Sequence, residues 1–248
     1  LTMKQHRVTY ILCILLLLLP VLTAGCTVNV PLLNTQLNPS QSPSGINSSV
    51  TSDGTAHMLA VSEDDSGVYT GTVSNVIVYT QLGTGHVFVE TEPLTGFDFQ
   101  ATARNAVEVA AERTQINKNQ RDFEFVVKVP QGVTEVDGPS AGLPMTIAAY
   151  SALTKQKTNS SVYGTGAIDS NGTISSVSGI YPKAQAAASA GARVIIVPSG
   201  ETTVNTTSPL ATNVVGGVNL QAQLKKEGYN VTVIGVKRID DALSYYFS

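Results

Sequence analysis

Only two cysteines occur in this 248-residue chain, Cys13 and Cys26, and both lie in its N-terminal segment. Everything downstream is cysteine-free, which excludes a CxxC redox site, a cysteine nucleophile and thiolate metal ligation there. Histidine is nearly as scarce. His6 precedes an apolar run, and His57 and His86 stand apart without a motif, so neither a histidine zinc site nor a Ser/His/Asp triad is advertised. Charge is thin as well: 13% of residues are Asp, Glu, Lys or Arg, against the usual quarter, and the formal net charge is -3. With no dense Lys/Arg stripe, the basic field that nucleic acid requires is missing, so nucleic acid is not expected as a partner. A Gly-x-x-x-x-Gly-Lys-Ser/Thr sequence is also missing, so these residues carry no visible ATPase motor. No cofactor and no metal is called for.

The N-terminal end is where long apolar sequence is concentrated. Lys4, His6 and Arg7 precede an apolar stretch over 8–24 whose centre reads ILCILLLLLP. A short positive region followed by a hydrophobic one is the order of an export signal, and the charge order leaves the remainder of the chain outside the cytoplasm. Thr23-Ala24-Gly25-Cys26 resembles a lipoprotein processing box, which makes Cys26 the candidate lipidation site; an uncleaved signal anchor is the competing outcome. Residues 1–26 are therefore read as signal peptide or signal anchor, and the membrane is expected as a partner through the N-terminus. Residues 27–55 are rich in Pro, Ser, Asn, Thr and Gly and read as a flexible polar stalk. The folded domain is expected over 56–248. Sequons at Asn47, Asn159, Asn171, Asn205 and Asn230 are glycosylation acceptors by pattern, though a chain this rich in Asn, Ser and Thr also makes them by chance.

Across 56–248 the hydrophobic pattern alternates between periods. Strands are expected at 72–80, 86–90, 123–129, 162–168, 173–177, 193–197 and 231–236, and helices at 99–113, 141–153, 182–190, 219–227 and 239–246. Pro182 suits a helix start, and Pro144 fits a helix only near its first turn. Interleaved helices and strands without a long linker give one globular domain of mixed α/β (α+β) class.

Within that domain, Asp137-Gly138-Pro139-Ser140-Ala141-Gly142 is a loop of small residues running into a helix. Small side chains allow close approach of a substrate, and a helix start presents N–H groups that favour negative charge. Taken alone, Ser140 reads far more often as an N-cap than as a nucleophile, and Lys183 as a solvent-facing helix residue.

The two segments together carry more. PQGVTEVDGPSAGLPMTIAAYSALT resembles the nucleophile region of the Lon protease family, and GTGAIDSNGTISSVSGIYPKAQAAASAGARVIIVPSG resembles its lysine region in the same order. FEFVVKVP upstream and VKRIDDAL near the end also resemble flanking elements. The resemblance implies a mixed α/β proteolytic domain using a serine/lysine dyad, with Ser140 as nucleophile and Lys183 as base, 43 residues apart (183 minus 140). It places Thr165 beside the lysine as an orienting residue and Asp137 as an acid that orders the loop. Backbone N–H groups in the region of Gly138, Pro139, Ser140 and Ala141 become oxyanion-stabilising candidates. The chemistry is coherent, because lysine ordinarily titrates near 10.4 and must be largely neutral to accept a proton. Burial among apolar neighbours such as Ile180, Ala184 and Ala187 would lower it.

Departures from the family pattern are Ala167 in place of a glutamate, Ser178-Gly179 in place of a double glycine, and Val126 and Lys128 where histidines are common. The function expected is an ATP-independent serine endopeptidase acting on peptides or unfolded proteins, with a homo-oligomeric ring implied by the family. The competing reading is a catalytically inactive Lon-like peptide-binding or scaffold domain at the cell surface.

Overall fold

The computed structural model describes residues 51–64, 66–205 and 217–248. The expected signal segment with Cys26, the stalk up to residue 50 and the Asn47 sequon lie outside the described residues. Those that are described belong to one compact unit.

Thirteen strands and five helices follow one another as β1 Ser52–Glu63, β2 Tyr69–Leu82, β3 Val87–Val89, β4 Leu94–Thr95, α1 Phe97–Thr114, β5 Arg121–Lys128, β6 Glu135–Val136, α2 Gly142–Thr154, β7 Val162–Gly164, β8 Ala167–Ile168, β9 Ile174–Ser175, α3 Ile180–Ser189, β10 Val194–Pro198, β11 Thr203–Val204, β12 Val218–Asn219, α4 Leu220–Lys226, β13 Thr232–Val236 and α5 Ile239–Tyr246. Seven of the strands make one mixed sheet in the order β13-β10-β7-β1-β2-β5-β3. From β13 to β1 the neighbours run parallel; β1, β2 and β5 are antiparallel, and β3 closes the far edge parallel to β5.

Burial explains why the sheet is covered on both faces. In β10, VIIVP, Ile196 joins the core that contains α1, α2 and α5 residues, whereas Ile195 and Val197 join a second core with α3 and α4. The same alternation splits Met58 from Leu59 in β1 and Val162 from Tyr163 in β7. Successive side chains of a strand point to opposite faces, so a strand buried on both reads as an unbroken apolar run. On the α1/α2/α5 face, α2 is buried nearly throughout from Gly142 to Leu153.

Three differences from the sequence expectations have physical causes. The first described strand begins at Ser52, four residues inside the stretch read as stalk, because Gly54, Ala56 and Met58 alternate into the core and Ser52 Oγ donates to the Ala152 carbonyl at 2.7 Å. Its polar Ser, Thr and Asp letters occupy the less buried positions between them. The single strand expected over 162–168 divides at Thr165-Gly166, where the chain leaves the main sheet for the β8–β9 hairpin. The helix carrying Lys183 begins at Ile180 rather than Pro182, after Gly179 at φ 72, and Pro182 still lies in the first turn where its missing N–H costs nothing. Among the described residues no helix is long and apolar enough to cross a membrane.

Candidate active site

The parallel strands β7 and β10 are neighbours, and both deliver their C-terminal ends to one region of the molecule. Such ends are where α/β folds bind ligands, since loops leave there and helix N-termini arrive. The loop before α2 is fastened to the end of β7. Gly166 N–H donates to the Ser140 carbonyl at 3.1 Å, the Thr165 hydroxyl donates to the same oxygen at 3.2 Å, and Leu143 N–H donates to the Gly166 carbonyl at 2.9 Å. Thr165 N–H in turn donates to Ile196 of β10 at 3.1 Å. Gly142 allows this seam: a Cβ there would sit 2.6 Å from Ile168 N. Ser140 itself is half-buried, in a 3-10 turn over Pro139–Ala141.

The loop is held from the other side by Asp137. Its Oδ1 accepts the Phe99 N–H at 3.0 Å, supplying a carboxylate to the first turn of α1, whose own N-cap residue, Gly96, has no side chain to offer. Gly96 leaves the space, because a Cβ at that position would lie 2.1 Å from Asp137 Cγ. Asp137 thus ties the segment before Ser140 to α1. Among the oxyanion candidates, Pro139 is corrected out as a donor because it has no N–H. The candidate donors narrow to Gly138, Ser140 and Ala141, with Gly138 at φ 104 turning the chain into the 3-10 segment.

Lys183 lies in the first turn of α3 and is 3% exposed. Ile180, Ala184 and Ala187 are buried around it in the α3/α4 core. Burial brings its pKa from 10.5 down to about 8, with the negative charge of Glu201 pulling the other way. The start of α3 is pressed onto β2 at Gly71, where a Cβ would lie 1.9 Å from the Pro182 carbonyl oxygen.

Thr165, expected beside the lysine, is 1% exposed and gives its hydroxyl to the Ser140 carbonyl. Among the described hydrogen bonds none joins Ser140 to Lys183, and their segments are related through the ends of β7 and β10. A buried residue that the sequence reading passed over completes the region. Glu201, 5% exposed, follows β10 and accepts the Val177 N–H on its two carboxylate oxygens at 3.1 and 3.3 Å. Burial raises its pKa against the opposing effects of Val177 N–H, Lys183 and the Ser176 hydroxyl. The signal that could have found it is that Glu201 is the one charged residue between Arg193 and Lys225.

A cavity of about 130 Å³ ends at the same loop, lined by Met58, Ala60, Val129, Val133, Val136 and Asp137 among others. Among the described residues no three His, Cys, Asp or Glu side chains converge as a metal site would need. The arrangement is that of a half-buried serine beside a helix start, a buried lysine of lowered proton affinity, and an apolar groove.

Residues 57–222 match the family model of the Lon protease (S16) C-terminal proteolytic domain. The chain is 36% identical over 77 residues to Lon protease 2 of Bacillus subtilis (strain 168), covering 31% of this chain and 14% of that protein. It is 40% identical over 79 residues to the Lon protease of Phenylobacterium zucineum (strain HLK1), covering 32% and 10%. With the Lon protease of Roseiflexus castenholzii (strain DSM 13941 / HLO8) it shares 31% identity over 151 residues, 55% of this chain and 18% of the other. The matched part is thus less than a fifth of each of these relatives. With two thirds of its length inside the match, the chain belongs to the family of the Lon protease C-terminal proteolytic domain.

Proposed function

We propose that this domain is a serine endopeptidase in which Ser140 attacks the peptide carbonyl and Lys183 serves as general base. The observation that carries this reading is the burial of Lys183. Among the described residues, Lys183 and Glu201 are the only charged residues that are buried, and a buried lysine with a pKa of about 8 is neutral often enough near neutral pH to act as a base. In the proposed cycle Lys183 Nζ takes the Ser140 hydroxyl proton as the Oγ–C bond forms. It then delivers a proton to the leaving amine as the C–N bond breaks, leaving an acyl-serine. Water deprotonated by the same amine attacks the ester and frees Ser140. The N–H groups of Gly138, Ser140 and Ala141 are the donors available to the oxyanion.

The cavity that ends at Asp137, with Met58, Ala60, Val129, Val133 and Val136 among its lining residues, suits an aliphatic substrate side chain. Hydrolysis by these residues would use no nucleotide, because they contain no phosphate-binding loop. The proposal extends to the setting: a domain tethered through the apolar stretch at 8–24, by Cys26 lipidation or an uncleaved anchor, facing outward and assembling as a homo-oligomeric ring in the manner that the family resemblance implies. The polar, weakly charged composition supports an exported location.

The test compares the full chain with Ser140→Ala and Lys183→Ala on an unfolded protein and on a peptide library. The expected outcome is cleavage by the parent and none by either variant, with secondary structure and assembly unchanged. Equal cleavage by all three would overturn the dyad, and peptide binding without cleavage by the parent would establish the scaffold reading in its place.

A further inference from the structure

We propose that Glu201 is the positioning residue of the lysine: its buried carboxylate fixes the segment that leads into α3 through the Val177 N–H and is the buried anion that answers the buried amine of Lys183. The inference rests on the peptidase reading above and adds a third residue to it.

The geometry begins with the loop after β10. Glu201 N–H donates to the Pro198 carbonyl at 2.9 Å, and Leu220 N–H to the Thr202 carbonyl at 2.9 Å, so the backbone on both sides of Glu201 is held by the strand before it and the helix after it. The side chain turns inward, and both of its oxygens receive the Val177 N–H. Val177 is buried in the same core as Ile180, and Lys183 N–H donates to Gly179 at 3.0 Å, so this anchor lies on the two-residue approach to the first turn of α3. A carboxylate taken from water needs compensation, and the Val177 N–H and the Ser176 hydroxyl supply part of it. Lys183, the other buried charge, supplies an electrostatic share without an ion pair: no carboxylate oxygen comes within 4.0 Å of its amine among the described residues. A direct salt bridge would hold the amine protonated and occupied, and none is present among the described residues.

Glu201 has no rival for this role. The elements packed on α3 are β1, β2, β10 and α4. β10 has no titratable side chain. On β1, Asp53 is exposed, His57 is bonded to Asn75 and the Ser160 carbonyl, and Glu63 interacts with Tyr69 of β2; Tyr79 of β2 is exposed. Lys225 and Lys226 of α4 are exposed, and Glu227 beyond them takes hydrogen bonds from Tyr181, Gln185 and Gln223. Residues 206–216 contribute no titratable side chain. Among the described residues Glu201 is the charged group whose field favours the protonated form of Lys183.

Glu201→Gln keeps an acceptor for Val177 and removes the charge, whereas Glu201→Ala removes both. The full chain and both variants, carrying 13Cε-labelled lysine, are titrated by NMR at the Lys183 resonance, and kcat/KM is measured across the same pH range. The expected result for Glu201→Gln is a lower Lys183 midpoint. The acid limb of the rate profile should move with it, raising kcat/KM below the midpoint about three- to tenfold. Glu201→Ala should shift both likewise and also lose kcat at every pH, a loss that Glu201→Gln largely restores. An unmoved Lys183 midpoint in Glu201→Gln overturns the proposal, as does a loss of rate in both variants with no change in the pH profile, which is what a purely structural residue would give. If Ser140→Ala and Lys183→Ala leave hydrolysis intact, the peptidase reading falls, while the NMR midpoint still decides the coupling of Glu201 to Lys183.

Discussion

The Thr165 hydroxyl donates to the carbonyl oxygen of Ser140 at 3.2 Å, and the next residue's N–H donates to that same oxygen. Two donors on one carbonyl fix the peptide plane that follows the candidate nucleophile. A side chain read from the family resemblance as the lysine's companion therefore acts on the serine's backbone. Thr165→Val keeps the β-branched shape and removes the donor, leaving Gly166 N–H in place. The expected loss is about 1 kcal/mol of stability. A fall of roughly tenfold in kcat with KM little changed should accompany it, because orientation and not binding is lost. Thr165→Ser should recover most of the rate. Chemical denaturation and steady-state kinetics on the three proteins check it.

Gly71 gives a sharper test of how α3 is seated. An added Cβ there meets the Pro182 carbonyl oxygen at 1.9 Å and its carbon at 2.5 Å, both backbone, so the helix start would have to lift from β2. Gly71→Ala is expected to cost about 1–3 kcal/mol, as overpacking does, and to lower activity through displacement of the adjacent Lys183. Gly200→Ala is the control: it stands beside Glu201 but faces open space, and should change neither the thermal midpoint nor the rate.

The helices and, β1 apart, the longer strands were legible because their burial follows their period. α2 and α5 fall within a residue of their expected starts, and β10 is the unbroken apolar run that a doubly covered strand requires. β1 was not legible, since its core face is made of Gly54, Ala56 and Met58, small letters set among Ser, Thr and Asp that resemble the stalk before them. The break at Thr165 was hidden for a different reason: it is caused by hydrogen bonds from a loop some 25 positions earlier, which no local window contains. In the site, Ser140, Lys183, Asp137 and Thr165 were visible through two matched segments, while Glu201 was not. Its contribution depends on burial, and its one sequence sign, isolation in a long uncharged stretch, does not tell a buried carboxylate from an exposed one.

Asp137 connects stability to the site in a way that can be separated. Its Oδ1 is the acceptor for the Phe99 N–H at the start of an 18-residue helix. Asp137→Ala should destabilise the protein by about 0.5–2 kcal/mol, the range for loss of a helix cap. Asp137→Asn keeps an acceptor and loses only the favourable charge at the helix start, a smaller effect of about 0.3–1 kcal/mol. Activity should fall in the same order, because the residue that caps α1 also bounds the Ser140 loop. Equal stability of all three proteins in urea would show that the cap does not contribute.

The pH dependence of folding offers a test of Lys183 that needs no substrate. Burial lowers its pKa from 10.5 to about 8 in the folded chain. Between those values the unfolded chain holds a proton that the folded chain has released, so unfolding takes up a proton and stability rises with pH. Below about 8 both states are protonated, and the folded state carries the whole penalty of a buried ammonium, on the order of 3 kcal/mol for a shift of this size. Above 10.5 both are neutral and the penalty is gone. Lys183→Met, similar in length and without a charge, removes the penalty at every pH. Comparison of the two proteins should therefore show Lys183→Met the more stable by a constant margin at pH 6–7, with the margin narrowing steadily from about pH 8 to 10.5. The absolute margin will be smaller than the penalty, since the variant leaves Glu201 without its opposing charge. The narrowing is the diagnostic part, measured as the difference in denaturation free energy across pH. A margin that stays flat through pH 8–10.5 would mean that Lys183 keeps an ordinary proton affinity in the folded chain, and it could not then serve as the base near neutral pH.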